Sequence, residues 1–409
     1  MKARKVKVLQ INQYCGFGST GKIVLDIADL VIANGDECRI AYGRYEAPKG
    51  YETYKMGGRF NNYEHVLETR LLDNHGFASR YATHKLVKYI KNYNPDVIHL
   101  HCLHGYYLNI KILFDYLVVS GKKIVWTFHD CWAFSDHAAY IDYDENGNLP
   151  KQYAKEDLTE YPTAKFSPFH NYKRKKEIFS HVPNLTIVTP SKWLKEMTEQ
   201  SFFSQYPVEV IHNGIDLTKF YPDKNDNLLV NYGISLKKKI ILGVASVWDK
   251  RKGFIYMNQL AESLPIDDYQ VVVIGKLAGD YEISDKLVHI AQTEDVNEMR
   301  QWYSNAAVFV NPTLFDNFPT TNLESLACGT PVVTFDTGGS PEALTEKVGL
   351  VVQQQDVKSI VNELENLVSL GLNDILTQGV GFEKGAKFAQ YIKLYEGLSR
   401  ENSTYSAKF

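Results

Sequence analysis

The chain has 409 residues, 44% hydrophobic and 23% charged, which is the balance of a soluble globular protein. Two domains of about 200 residues each are the natural division of such a length. A net charge of −3 excludes a partner held by bulk charge, nucleic acid included, and leaves only local basic patches. Cysteines at 15, 38, 102, 131 and 328 are odd in number and scattered, with no C-x-x-C pair. That pattern argues against a disulfide framework or a structural zinc, and for a reducing cytosol. No apolar run approaches the roughly 18–20 residues of a membrane span. The expectation is a cytoplasmic protein, at most peripheral at the cytoplasmic membrane face.

The opening Met1-Lys-Ala-Arg-Lys-Val-Lys-Val-Leu-Gln-Ile-Asn begins basic, like a signal peptide, but Lys7 and Gln10 interrupt its apolar part. The pattern predicts a first strand there instead. Short β-branched runs predict strands over 6–11, 38–42, 97–100, 123–128, 185–189 and 208–212. A second series falls at 240–245, 270–274, 307–311, 331–335 and 349–352, with helical stretches between most of them. Strands apolar on both faces and alternating with helices mean parallel sheets covered by helices. Eleven such strands exceed one small sheet, and a turn-rich seam lies near Pro207–Pro222. The expectation is an α/β protein of two doubly wound domains, 1–207 and 208–387, with a last helix from Phe382 to Arg400. Ligands of such folds bind at the carboxyl ends of the strands, so a cleft between the domains is the expected site.

Several segments carry chemistry. Gly16-Phe-Gly-Ser-Thr-Gly-Lys22 follows the first strand and matches G-x-G-x-x-G. A P-loop needs Ser or Thr where Ile23 stands, and a dinucleotide site needs an acid where the second strand ends in Arg44. Neither motif is complete, although a glycine loop opening a helix still approaches phosphate closely. Thr127-Phe-His-Asp130 ends another strand and offers His129. His99, His101 and His104 cluster without an acidic or thiolate third ligand in view, and no metal is expected there. Asp142-Tyr-Asp-Glu-Asn-Gly147 imitates D-x-D and an EF-hand start, but Tyr153 stands at position twelve. It reads as a surface turn. The long polar segment from there to about Tyr172 is a place for acceptor recognition. Tyr172-Lys-Arg-Lys-Lys176 has two open readings: a solvated helix face, or contact with an anionic membrane or lipid diphosphate.

After the seam, Lys250-Arg-Lys-Gly253 ends a strand before a helix. The most informative stretch is 314–342, where Asp316 and Glu324 bracket a helix start, followed by a strand and a second, glycine-led helix start. Unpaired N–H groups at helix starts suit an anionic, hydroxyl-rich ligand such as a nucleotide-sugar. Thr321-Asn-Leu-Glu324 also fits a capping box.

The 314–342 stretch closely resembles the nucleotide-sugar site of retaining glycosyltransferases of family 4, which carry an acidic-x7-Glu motif here. The resemblance is strong from Val210 to Val352 and recognisable from Val6 to Trp193; Thr189-Pro-Ser-Lys-Trp-Leu194 and Val210-Ile-His-Asn-Gly-Ile-Asp216 also match. It implies the GT-B fold, two facing Rossmann-like domains, the first binding acceptor and the second donor, with a C-terminal helix at 388–409 rejoining the first. It further implies transfer of a hexose from a UDP- or GDP-sugar to a hydroxyl of a glycan or lipid-linked acceptor, with retention, in surface-glycan biosynthesis. No cofactor and no metal are expected.

By the same resemblance, Glu324 holds the ribose hydroxyls and Asp316 the sugar. Lys252 neutralises the diphosphate, and the N–H groups of Thr320 and Thr321 face it. Asn317 and Phe318 belong to the donor pocket, Gly21 faces the diphosphate or lines the acceptor site, and His129 lies near the reacting sugar. Two departures stand out. Asp316 replaces the usual Glu, and Ser246 and Val247 stand where the family has an Arg, a role left to Arg251. Three rivals remain at this point: a sugar-nucleotide epimerase of the same fold, a nicotinamide oxidoreductase, and a catalytically silent sugar-nucleotide-binding protein.

Overall fold

The computed structural model describes residues 5–141 and 170–405. The expected Asp142–Gly147 turn and nearly all of the polar segment after it lie outside the described residues. The chain divides into two compact units, Met1–Ile211 with Phe388–Phe409, and His212–Lys387.

The first unit holds a seven-stranded sheet of β1 (Lys7–Tyr14), β2 (Glu37–Arg44), β3 (Thr53–Lys55), β4 (Val97–Leu100), β5 (Lys123–Thr127), β6 (Leu185–Thr189) and β7 (Val208–Val210). Their order is β3-β2-β1-β4-β5-β6-β7 and every pairing is parallel. The strand Val208–Val210 pairs with β6, so the chain leaves this unit after Ile211, four residues beyond the boundary placed at 207.

The second unit has β8 (Lys239–Trp248), β9 (Tyr269–Leu277), β10 (Leu287–Ile290), β11 (Ala306–Asn311), β12 (Val332–Phe335) and β13 (Gly349–Val352), in the order β10-β9-β8-β11-β12-β13. Counted from each unit's own first strand, the sheets run 3-2-1-4-5-6-7 and 3-2-1-4-5-6. In such a sheet the order reverses between the first and fourth strands, and a crevice opens beyond their carboxyl ends. That places the loops after β1 and β4, and after β8 and β11, at the two switch points.

Central strands are apolar and buried on both faces, as Ile124–Trp126 and Val271–Ile274 are. The helix Lys384–Tyr405 returns to the first unit, burying Phe388, Tyr391 and Tyr395 with Val8, Val125 and Val188. Their i, i+3, i+7 spacing makes one apolar face. Among the described residues no helix is long and apolar enough to cross a membrane.

Candidate active site

In the second unit, β8 runs out into Asp249, whose carboxylate accepts from Lys252 N at 2.9 Å and starts a short 3-10 turn over Lys250–Lys252. Gly253 ends it at φ 76°, where a Cβ would stand 2.1 Å from Pro312 O, so a side chain there would push the turn off the β11 loop. The two loops are zipped together. Leu314 N donates to Arg251 O at 2.8 Å, and Arg251 Nη1 to Phe315 O at 2.7 Å. Lys252 Nζ reaches Asp316 Oδ2 at 2.5 Å, while Asp316 Oδ1 accepts from Asn317 N at 2.9 Å. Gly338, at φ 54°, presses on the same peptide, where a Cβ would stand 2.1 Å from Asp316 O. Lys252, Arg251 and Asp316 are thus brought together at the switch point by backbone contacts that sequence spacing does not reveal.

The helix Thr320–Ala327 starts after Pro319 with no side-chain cap. Thr320 and Thr321 are its first two residues, so their N–H groups have no intrahelical acceptor. Thr321 lies inside the helix, which removes the capping-box alternative for Glu324. Glu324 Oε2 instead accepts from Tyr303 OH at 2.8 Å, from the preceding helix Val296–Asn305. Tyr303 is wholly buried, and it was not singled out from sequence because it lies 21 positions from its partner.

The Phe318 ring is buried against His212 and Phe382, and its carbonyl accepts from Asn213 Nδ2 at 3.2 Å. Asn317 is buried as well. One expectation needs correction: the second helix start is only a 3-10 turn over Ser340–Ala343, where Asn322 Nδ2 takes the Ser340 carbonyl at 3.1 Å.

In the first unit the glycine loop is a tight strand-to-helix turn. Gly16 N donates to Gly21 O at 3.1 Å, and a Cβ on Gly21 would meet Gly16 N at 3.1 Å. Gly21 is buried, and the helix Gly18–Ala33 begins here without a side-chain cap.

His129, beyond β5, belongs to a chain of buried hydrogen bonds. Gln10 Nε2 donates to Val24 O at 2.9 Å, which turns Gln10 Oε1 toward His101 Nε2 at 3.0 Å. His101 Nε2 must therefore carry a hydrogen. Burial pushes the His101 proton affinity well below the usual imidazole range, so the ring is neutral and its Nδ1 accepts. The donor to it is His129 Nε2, 3.1 Å away. Burial also lowers His129, to about 4. His129 is thus a neutral imidazole with its hydrogen on Nε2 and its lone pair on Nδ1. His99, its ring tilted against His101 with centroids 3.9 Å apart, is held by Thr127 Oγ1 at 2.8 Å and Tyr395 OH at 2.6 Å.

His104 has a different partner. Its Nε2 meets Asp130 Oδ2 at 2.8 Å, and the ligand-capable atoms of Cys102, His104 and Asp130 lie within 4.8 Å of one another. An acid and a thiol therefore do stand near one of the clustered histidines. Burial opposes charge on His104, but Asp130 more than offsets it and pushes it up to about 10. With His104 protonated, the two side chains form an ion pair. In the Tyr172–Lys176 run, Lys173 and Lys176 are exposed and Arg174 lies over the Phe77 ring. Lys175 is wholly buried, bonded to Trp132 O, and lowered by burial to about 7. The run is therefore neither a solvated face nor a continuous basic surface.

Comparison with known proteins agrees with the fold just described. Residues 20–219 match the model of Glycosyltransferase Family 4, and residues 226–379 that of Glycosyl transferases group 1. The colanic acid biosynthesis glycosyl transferase WcaC of Escherichia coli K12 is 22% identical over 87% of this chain and 89% of its own. A sucrose-phosphate synthase structure from Thermosynechococcus elongatus superposes with TM-score 0.71 at 16% identity, over 97% of this chain and 99% of that one. Anabaena HepE in complex with UDP does so with TM-score 0.64 at 13% identity, over 97% and 100%. With a family model on each unit and the GT-B architecture in both sheets, the chain belongs to the family 4, group 1 glycosyltransferases.

Proposed function

We propose that this glycosyltransferase moves a hexose from a UDP- or GDP-sugar to a hydroxyl of a glycan or lipid-linked acceptor, retaining the anomeric configuration, in surface-glycan assembly at a cytoplasmic membrane face. The observation that carries the reading is the zipping of the β8 and β11 loops, which sets Lys252, Asp316 and the uncapped Thr320 helix at one switch point. Lys252, Arg251 and the Thr320 and Thr321 N–H groups supply positive potential for a diphosphate. Glu324, held by Tyr303, offers a carboxylate for two vicinal hydroxyls. The colanic acid biosynthesis named for WcaC and the UDP held by HepE support the process and the donor class.

In the reaction, the bond from sugar C1 to the diphosphate oxygen breaks as the acceptor oxygen bonds C1 on the same face. The acceptor proton passes to the departing diphosphate. Charge developing on that diphosphate is met by Lys252 and the helix start, so the step runs without a metal. A neutral His129 stands near the reacting sugar in this reading.

Slow donor hydrolysis tests this without a known acceptor. Proton NMR of the first sugar released from an α-linked UDP- or GDP-hexose should show the α anomer. First release of the β anomer would overturn the retaining assignment, and release of a C2-epimerised sugar would favour the epimerase.

A further inference from the structure

A separate cavity lies in the first unit at the carboxyl ends of β2 and β3. It measures about 400 Å³ and is walled by Arg44, Tyr45, Lys55, Arg59, Asn62 and Tyr63. Glu46 also lines it and is paired with Lys55. Among the described residues no carboxylate lies within ion-pair distance of Arg44 or Arg59, so two guanidinium groups remain for an anion. The Asn62 side-chain oxygen is enclosed with no hydrogen-bond donor. Tyr45 has φ 60°, an uncommon backbone for a bulky residue, and its ring is half exposed. It stacks on Tyr14 at 5.3 Å and lies 4.6 Å from Phe17, both next to the glycine loop.

The helix Arg59–Leu72 begins at this cavity. Its inner face is fixed: His65 is buried, accepting from Gly76 N at 3.1 Å and bonded to Ser79 Oγ at 2.8 Å, and Thr69 is buried beside it. Its outer face shows Phe60 (92% exposed), Tyr63 (73%), Leu67 (58%) and Leu71 (45%). The i, i+3, i+7, i+11 spacing aligns them in one stripe, roughly 16 Å long at 1.5 Å per residue. Tyr63 belongs to both the stripe and the cavity wall.

We infer that this cavity and stripe form a binding site for a single-chain phosphate amphiphile, its phosphate on Arg44 and Arg59 and its apolar chain along Phe60, Tyr63, Leu67 and Leu71. Guanidinium groups pair with phosphate bidentately, and Tyr45 and Tyr63 give flat faces beside the head group. The cations stand in a concavity at one end of a narrow stripe, which fits one head and one chain. A glycan carried on a lipid phosphate, whose sugar hydroxyl takes the hexose, is thereby the class of acceptor, an assignment that rests on the transferase reading above.

The test titrates the full chain with dodecyl phosphate below its micelle concentration, with inorganic phosphate and dodecyl maltoside as controls. Dodecyl phosphate should bind at least tenfold more tightly than either control. Arg44→Gln with Arg59→Gln should weaken it about tenfold or more, and Phe60→Ser with Leu67→Ser should do the same. Both double variants should bind UDP or GDP as the wild type does, which shows that they are folded. Inorganic phosphate binding as tightly as dodecyl phosphate would reduce the site to a free-phosphate pocket and overturn the proposal. Dodecyl maltoside binding equally, with no effect of the arginines, would mark a general apolar surface for a membrane or second copy and overturn it too. If dodecyl phosphate behaves as stated while no nucleoside diphosphate binds the wild type, the amphiphile site stands and the transferase reading fails.

Discussion

Lys252 and Asp316 form an ion pair, Nζ to Oδ2 at 2.5 Å, so a donor diphosphate must draw Lys252 away from the carboxylate assigned to the sugar. The shorter Asp, where the family has Glu, is long enough for this pairing because the zipped loops bring the two residues together. Asp316→Asn keeps an oxygen for Asn317 N and removes the charge. Nucleoside diphosphate should then bind as tightly as before or several-fold tighter. Transfer should fall about 10- to 100-fold, the loss of one or two charge-assisted hydrogen bonds to the sugar. Calorimetric titration and donor turnover read the two effects separately. Weaker nucleotide binding in the variant would place Asp316 in the nucleotide pocket instead.

The Gln10–His101 link fixes the hydrogen of His129 on Nε2. In ¹⁵N NMR of the imidazoles at pH 7, His129 should show a protonated Nε2 and a bare Nδ1. Gln10→Met removes the acceptor that orients His101, and the His129 signals should move toward a mixture of tautomers. An Nδ1-protonated His129 in the wild type would refute the chain of bonds.

Much of this fold is legible in the sequence because strands buried on both faces read as unbroken apolar runs, as Lys123–Thr127 and Leu185–Thr189 do. The two missed strands lie at sheet edges: Thr53–Lys55 is short and largely exposed, and Leu287–Ile290 is half-buried at its centre. Lys252, Asp316 and Glu324 were legible through resemblance, since each stands in a short contiguous motif. Their partners were not. Tyr303 meets Glu324 across 21 positions and His101 meets His129 across 28, separations that only the parallel strand order closes.

Two titratable groups near Asp130, His104 and the buried Lys175, make opposite demands on pH. His104 holds its proton more tightly when folded, so its stabilisation is full below 6.5, its ordinary value, and is lost as pH rises through about 10. Burial lowers Lys175 from 10.5 to about 7, so Lys175 costs stability below 7 and the cost is relieved as pH rises. Over pH 7 to 10 the slopes oppose, and the wild type should be nearly level. Lys175→Met removes one of them. Its unfolding free energy should fall across that window, by up to about 1.4 kcal/mol per pH unit. Urea unfolding at pH 7, 8.5 and 10 checks this; a level variant would contradict the assignment of one or both groups.

The central claim is that the second unit binds a sugar-nucleotide through Glu324 and the Thr320 helix start. Calorimetric titration of wild type and Glu324→Ala with UDP, GDP, ADP and NAD, with and without EDTA, tests it most directly. The account predicts that UDP or GDP binds the wild type, is indifferent to EDTA, and binds the variant about 10- to 100-fold more weakly through loss of the ribose contacts. Equal affinity of wild type and variant, or binding of NAD alone, would contradict it.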